Sequence, residues 1–206
     1  MSMNSKPGVR ASRRQILDVA LGTALGMALG GLGRPAQAAG PGRAMSLNFR
    51  GTSFVHRWSK GDQHEFTPEA QPDLKTWQDM VTLNVHAAAT NGEQLAEVAN
   101  RVVGNYQRHG KILHTRSKPR TAASAAEHLI VAVLGTQEYL EATFARCVLA
   151  EGSGLIAVCS HRVYGKPAGP PMSEWLKAQG QATEDALMAW APLPMPSALA
   201  RLPRSA

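Results

Sequence analysis

"EHLIVAVLGTQEYLEATFARCVLAEGSGLIAVCSHRVY", residues 127–164, decides the fold. It reads as three strand-like segments, Glu127 to Leu134, Tyr139 to Ala150 and Leu155 to Tyr164, separated by short polar or Gly-containing breaks. Connections this short leave no room for crossover helices, so the segments should pair antiparallel. His128 to Gly135 is apolar at nearly every position rather than every second one. A strand of that kind is covered on both faces and belongs in the middle of a sheet. Glu151-Gly152-Ser153-Gly154 supplies the turn residues of a hairpin.

Working outward, Lys111 to Lys118 is a fourth strand-like segment on the upstream side. Before it, Leu95, Val98, Ala99, Val102 and Tyr106 recur at helical spacing. Asn91 stands ready as the N-cap, Gln94 follows three residues later, and Gly110 closes the helix after His109. Met80 to Ala88 alternates: Val81, Leu83, Val85 and Ala87 face one way, and Thr82, Asn84 and His86 the other. Further upstream, Phe54, His56 and Trp58 alternate with Val55 and Arg57. Lys60-Gly61-Asp62 is turn chemistry, and His64 and Phe66 resume the alternation, so a β-hairpin is expected here. Pro72 to Trp77 reads as one short helical turn.

Downstream, Pro167, Pro170 and Pro171 break the chain. Ser173 then caps a second helix to about Trp190, with Leu176, Thr183, Leu187 and Trp190 as its apolar stripe. Hairpin, strand, helix, four strands, helix is an α+β order. The expectation is a central antiparallel sheet with a helix packed on each face, an α/β/α sandwich spanning residues 47–191. Residues 192–206, "PLPMPSALARLPRSA", are Pro-rich and expected to be disordered.

Residues 1–38 have a different character. Arg10, Arg13 and Arg14 precede an apolar run from Val19 to Gly33, and Ala36-Gln37-Ala38 is a small-x-small tripeptide. This is the layout of a signal peptide, cleaved after Ala38. The run is shorter than the roughly 20 residues that span a membrane. Ser12-Arg13-Arg14-Gln15-Ile16-Leu17 resembles the twin-arginine export signal. Ile16 stands where that signal usually has Phe and Asp18 where it usually has Lys, so the general secretory route stays open. Either route implies a periplasmic protein with no stable membrane span after cleavage. Residues 39–46 read as a linker.

Removing the leader changes the charge argument. The whole chain carries a formal charge of +7. The leader holds five basic residues against Asp18, which leaves +3 on the mature chain. That is ordinary solubility charge rather than a nucleic-acid footprint. Arg116, Lys118 and Arg120 form a basic stretch that would suit an acidic partner or lipid head groups, though a solvated strand end also accounts for it. No aromatic residues interleave with it, so nucleic-acid stacking is unsupported.

The element order and apolar pattern over residues 47 to 190, behind an export signal, resemble the PsbP/DcrB-like group. That resemblance implies an α/β/α sandwich and an accessory or binding role without catalysis. It carries no functional residue across.

Three sets of side chains are candidates for chemistry. If the hairpin loop is centred on Ser153, Cys147 lies directly opposite Cys159, and a disulfide worth about 3 kcal/mol becomes geometrically possible. A one-residue shift of the loop puts the thiols on opposite faces, as two buried unbonded cysteines. His56, Trp58, His64 and Phe66 gather aromatic and imidazole groups on one hairpin and are the candidate binding residues for an envelope protein or a small ligand. His56 and His64 with His86 are the candidate ligands of a copper or zinc site, and a metal-binding protein or metal-dependent enzyme is the alternative function. No nucleotide, hydrolase or metalloprotease motif is present, and no motif indicates a cofactor. The reading is an exported, non-catalytic binding or accessory protein.

Overall fold

A computed structural model describes residues 45–205. The leader, its cleavage point and the linker up to residue 44 lie outside the described residues. The described residues form eight strands, β1 (Ser46–Phe49), β2 (Thr52–Lys60), β3 (Gln63–Pro68), β4 (Asp79–His86), β5 (Gly110–Lys118), β6 (Glu127–Gly135), β7 (Tyr139–Ala150) and β8 (Ser153–Tyr164). They make one sheet in the order β1-β2-β3-β4-β8-β7-β6-β5, with every neighbour antiparallel. Two meanders, β1–β4 and β5–β8, therefore meet along the β4–β8 seam.

Helix α1 (Gly92–His109) joins them, carrying the chain from β4, inside the sheet, to β5 at its far edge. Its ends form as the residues dictate. The Asn91 side chain accepts from the Gln94 amide at 3.0 Å, and Gln94 reaches back to accept from the Thr90 amide at 2.8 Å. Such a cap stabilises a helix by about 1 kcal/mol. Leu95, Val98, Ala99, Val102 and Tyr106 pack against Ile130, Ala132, Ala145, Cys147, Ile156 and Val158, which project from β6, β7 and β8. Gly110 lets β5 begin immediately after the helix, since a Cβ there would overlap the Val133 carbonyl.

The other face carries the larger core. Leu47, Phe49, Phe54, Phe66, Val81, Phe144 and Cys159 lie in one cluster that extends from β1 across to β7 and closes under the C-terminal arm. That arm is a succession of short pieces: α2 (Gly169–Trp175), a π-helical turn (Leu176–Gly180), α3 (Gln181–Ala189) and α4 (Pro196–Leu199).

The expected sandwich with a helix on each face is therefore corrected. The molecule is dominated by an eight-stranded antiparallel sheet, and α1 is its one helix longer than nine residues among the described residues. Two features account for the difference. Pro170 and Pro171 start the arm at Gly169 instead of at a Ser173 cap, and the turn ending at Gly180 widens to π geometry, so the helical run over residues 169–189 is divided into short α and π pieces. The first meander also holds more strand than the hairpin alone, because Arg50 and Gly51, with φ of 51° and 77°, turn β1 tightly back onto β2.

The end of the chain is a second correction. Residues 196–199 are helical and Leu199 and Leu202 are buried. The Ser205 amide donates to the Ser59 carbonyl at 2.7 Å, and Ser197 donates twice to the Glu151 carboxylate at 2.9 Å. Apolar residues at 199 and 202 give this Pro-rich stretch something to bury, which offsets the entropy of ordering it.

Two buried ion pairs fasten the layers. Arg146 on β7 meets Glu127 on β6 at 2.7 Å and also donates at 2.9 Å to the carbonyls of Leu187 and Trp190, the open end of α3. Arg162 on β8 donates to Glu141 at 2.8 Å, with its guanidinium 3.9 Å from the Trp77 ring centre and 3.8 Å from that of Tyr139.

Candidate functional site

A pocket of about 480 Å³ opens between the first meander, β8 and the arm. Apolar groups form its floor, among them Phe49, Phe54, Val81 and Phe144. Two polar groupings sit on its wall. In the first, Asp79 and His161 stand directly opposite each other across the β4–β8 seam, with Oδ1 and Nδ1 2.9 Å apart. Trp175 at the end of α2 stacks on the His161 ring, 4.1 Å between centres and 2° between planes. In the second, Arg50 reaches from the β1–β2 turn to the arm, donating to Thr183 Oγ1 at 2.7 Å and Gln179 Oε1 at 2.9 Å. Gln179 lies in the π turn, a distortion often met at functional sites. Arg50 adopts the left-handed region. That conformation is unfavourable for a residue bearing a Cβ. The two hydrogen bonds hold its side chain across the pocket mouth.

Cys159 also lines the pocket. Burial raises its thiol above the ordinary range, and the positive charge of Arg50 opposes that only in part. The thiol is therefore held protonated and is a poor nucleophile. The Asp79–His161 pair accordingly orients an imidazole in the wall without an activated sulfur beside it.

The hairpin residues arrange themselves differently from an open platform. A β-bulge between His56 and Trp58 places His56 opposite Phe66 and Trp58 opposite Glu65, so the two leave on opposite faces. Phe66 is fully buried in the core and meets the His56 ring edge-on at 5.3 Å. His56 and His64 do come together, through Ser59: its Oγ lies 2.7 Å from His56 Nε2 and 2.8 Å from His64 Nδ1. Burial is the first cause of the low His64 pKa, about 4; the charges of Arg204 and His56 lower it further, while Asp62 opposes. Burial lowers His56 as well, against a backbone hydrogen bond at Trp58.

His86 does not join them. His64 stands opposite Leu83, and His86 lies three residues further along β4, on the other face, opposite Gly154. No group of three or more His, Cys, Asp or Glu suited to a metal ion occurs among the described residues.

The two cysteines take the second of their two arrangements, buried and unbonded. The β7–β8 turn is Glu151-Gly152, with φ of 48° and 70°, so Ala150 pairs with Ser153 and the register moves. Cys147 then faces Ile156 and packs under α1, while Cys159 faces Phe144 on the pocket side. Both thiols are free and buried, and burial pushes the Cys147 thiol up to about 12.

Sequence reading missed Arg50, Asp79, His161 and Trp175. Arg50-Gly51 was the available signal, a pair of turn residues between the runs that form β1 and β2. Asp79 and His161 are far apart in the chain, and only the seam register joins them.

No protein-family model matches the chain, and no curated protein matches it. Among solved structures it is similar to a Pseudomonas aeruginosa protein of unknown function, a suggested regulator. The identity is 12%, the TM-score 0.42, and the match covers 75% of this chain and 100% of the other.

Proposed function

We propose that the protein is an exported, non-catalytic binding protein that holds a small amphipathic ligand in the pocket between the first meander and the C-terminal arm. One observation carries this reading. A cavity of about 480 Å³ combines an apolar floor with two fixed polar groupings, Arg50 and the Asp79–His161 pair. Pockets of a few hundred Å³ with this division of labour suit small organic molecules. The protonated Cys159 thiol supports binding without catalysis. The arginine pair, apolar run and small-x-small tripeptide that end at Ala38 support export to the periplasm.

Protein recovered from the periplasm of its host tests both halves. Its amino terminus should be Ala39, and native mass spectrometry should find a bound small molecule. Thr52→Trp and Gln179→Trp place bulk on the pocket rim and should abolish that added mass while leaving the fold intact. An intact Met1 end on intracellular protein would overturn export. A ligand-free protein in which rim blockage changes nothing would overturn the pocket.

A further inference from the structure

The charges facing the pocket are unequally matched. The Asp79 carboxylate is already engaged: Oδ1 lies against His161 Nδ1, and Oδ2 accepts from Gln71 Nε2 at 3.4 Å. Among the described residues Arg50 has only neutral partners, Thr183 Oγ1 and Gln179 Oε1. No carboxylate among the described residues lies within ion-pair distance of it. A guanidinium presents five N–H donors, and these two bonds leave others for a guest. Its charge is felt inside the pocket, where it opposes the rise of the Cys159 thiol. The tight β1–β2 turn and the two bonds to the arm hold this unneutralised cation above an apolar floor.

We infer that the pocket selects organic monoanions: a single carboxylate held by Arg50, on an aliphatic or aromatic body lying against Phe49, Phe54, Val81 and Phe144. This deepens the pocket reading and rests on it. A planar guanidinium matches a carboxylate in two parallel hydrogen bonds. A neutral head group of equal size forfeits the charge, and a cationic one is repelled. The Asp79–His161 pair, its carboxylate already engaged by His161 and Gln71, offers a second polar contact through the imidazole. Dianions would leave one charge unmatched over the apolar floor, which is costly.

Calorimetry on the purified protein with two matched pairs, decanoate against decanol and naphthoate against naphthalenemethanol, tests the inference. At least one acid should bind about tenfold or more tightly than its alcohol, the difference of one charge-assisted hydrogen bond. The preference should shrink as salt rises, and decylamine should not bind. Arg50→Gln should erase the gap between acid and alcohol while leaving the alcohol's affinity unchanged, and Arg50→Lys should restore part of it. Acid and alcohol binding equally, with no salt effect, would overturn the charge selection and leave the pocket standing. Heat-silent titrations with all four, unaltered by Gln179→Trp, would overturn the pocket and the inference together. The wild-type ratio and its salt dependence decide the question even if Arg50→Gln fails to fold.

Discussion

His64 shows how a side chain that looks available in sequence is spent in structure. It is buried against Ser59 and kept neutral by burial and by the nearby charges of Arg204 and His56. The folded protein takes up this proton only near pH 4, the unfolded chain already near 6.5. Between these values the unfolded state binds more protons, so stability should be full above about pH 6.5 and fall as pH drops toward 4. Urea midpoints measured across that window should show the decline, and His64→Asn should flatten it; an unchanged slope would remove His64 from the account. The cysteines make a second residue-scale case. Neither Cys147 nor Cys159 should react with a thiol reagent in the native protein, and both should after denaturation. An oxidant should form no bridge within the chain, as non-reducing mass analysis would record. Sequence placed both thiols in facing strands correctly but could not fix the turn. The position of the loop decides which face each sulfur takes, and Ser153 as turn centre was no less plausible chemically than Glu151-Gly152.

Helix α1 was legible because cap, period and end agree: Asn91, the apolar stripe to Tyr106, and Gly110 all point to the same element. The arm was legible only in its helical extent: residues 169–189 are helical, but the π turn at Leu176–Gly180 and the docking of the arm are decided by tertiary contacts. Arg146 is foremost among them, tying α3 to the sheet through Glu127 and two carbonyls. Arg146→Met should leave Glu127 with only the exposed Lys118, 3.3 Å away, and the Leu187 and Trp190 carbonyls without their donor, at a cost of about 3 kcal/mol. Amide exchange should quicken in residues 183–190 more than in α1. The tail gives a milder test. Leu199 is fully buried. Leu199→Ala should therefore cost about 2–5 kcal/mol in urea unfolding. A cost near zero would mean that the tail's contacts are incidental. Strand β1 escaped notice for a simpler reason: four residues carry too little period to be told from a linker.

At the scale of the molecule, the antiparallel sheet itself was readable, since the run from Glu127 to Tyr164 permits little else. The position of the first meander was not. Nothing local to residues 79–86 says that they lie beside 154–161, and the same blindness hid the pocket, whose floor spans both meanders. Each meander pairs near neighbours, whereas the seam sets Met80 against Ser160. Val158→Ala in the seam should therefore slow folding in stopped-flow experiments, while Leu47→Ala at the outer edge should chiefly speed unfolding. Biosynthesis meets the same arrangement in time. β8 is the last strand to be made, yet β4 has no other neighbour on that side. From the moment β4 leaves the ribosome until β8 follows, the nascent chain carries an unsatisfied row of amides and carbonyls able to recruit any stray extended peptide. A cell that makes this protein must guard that row throughout the interval, and truncated chains ending before β8 should be the ones that aggregate.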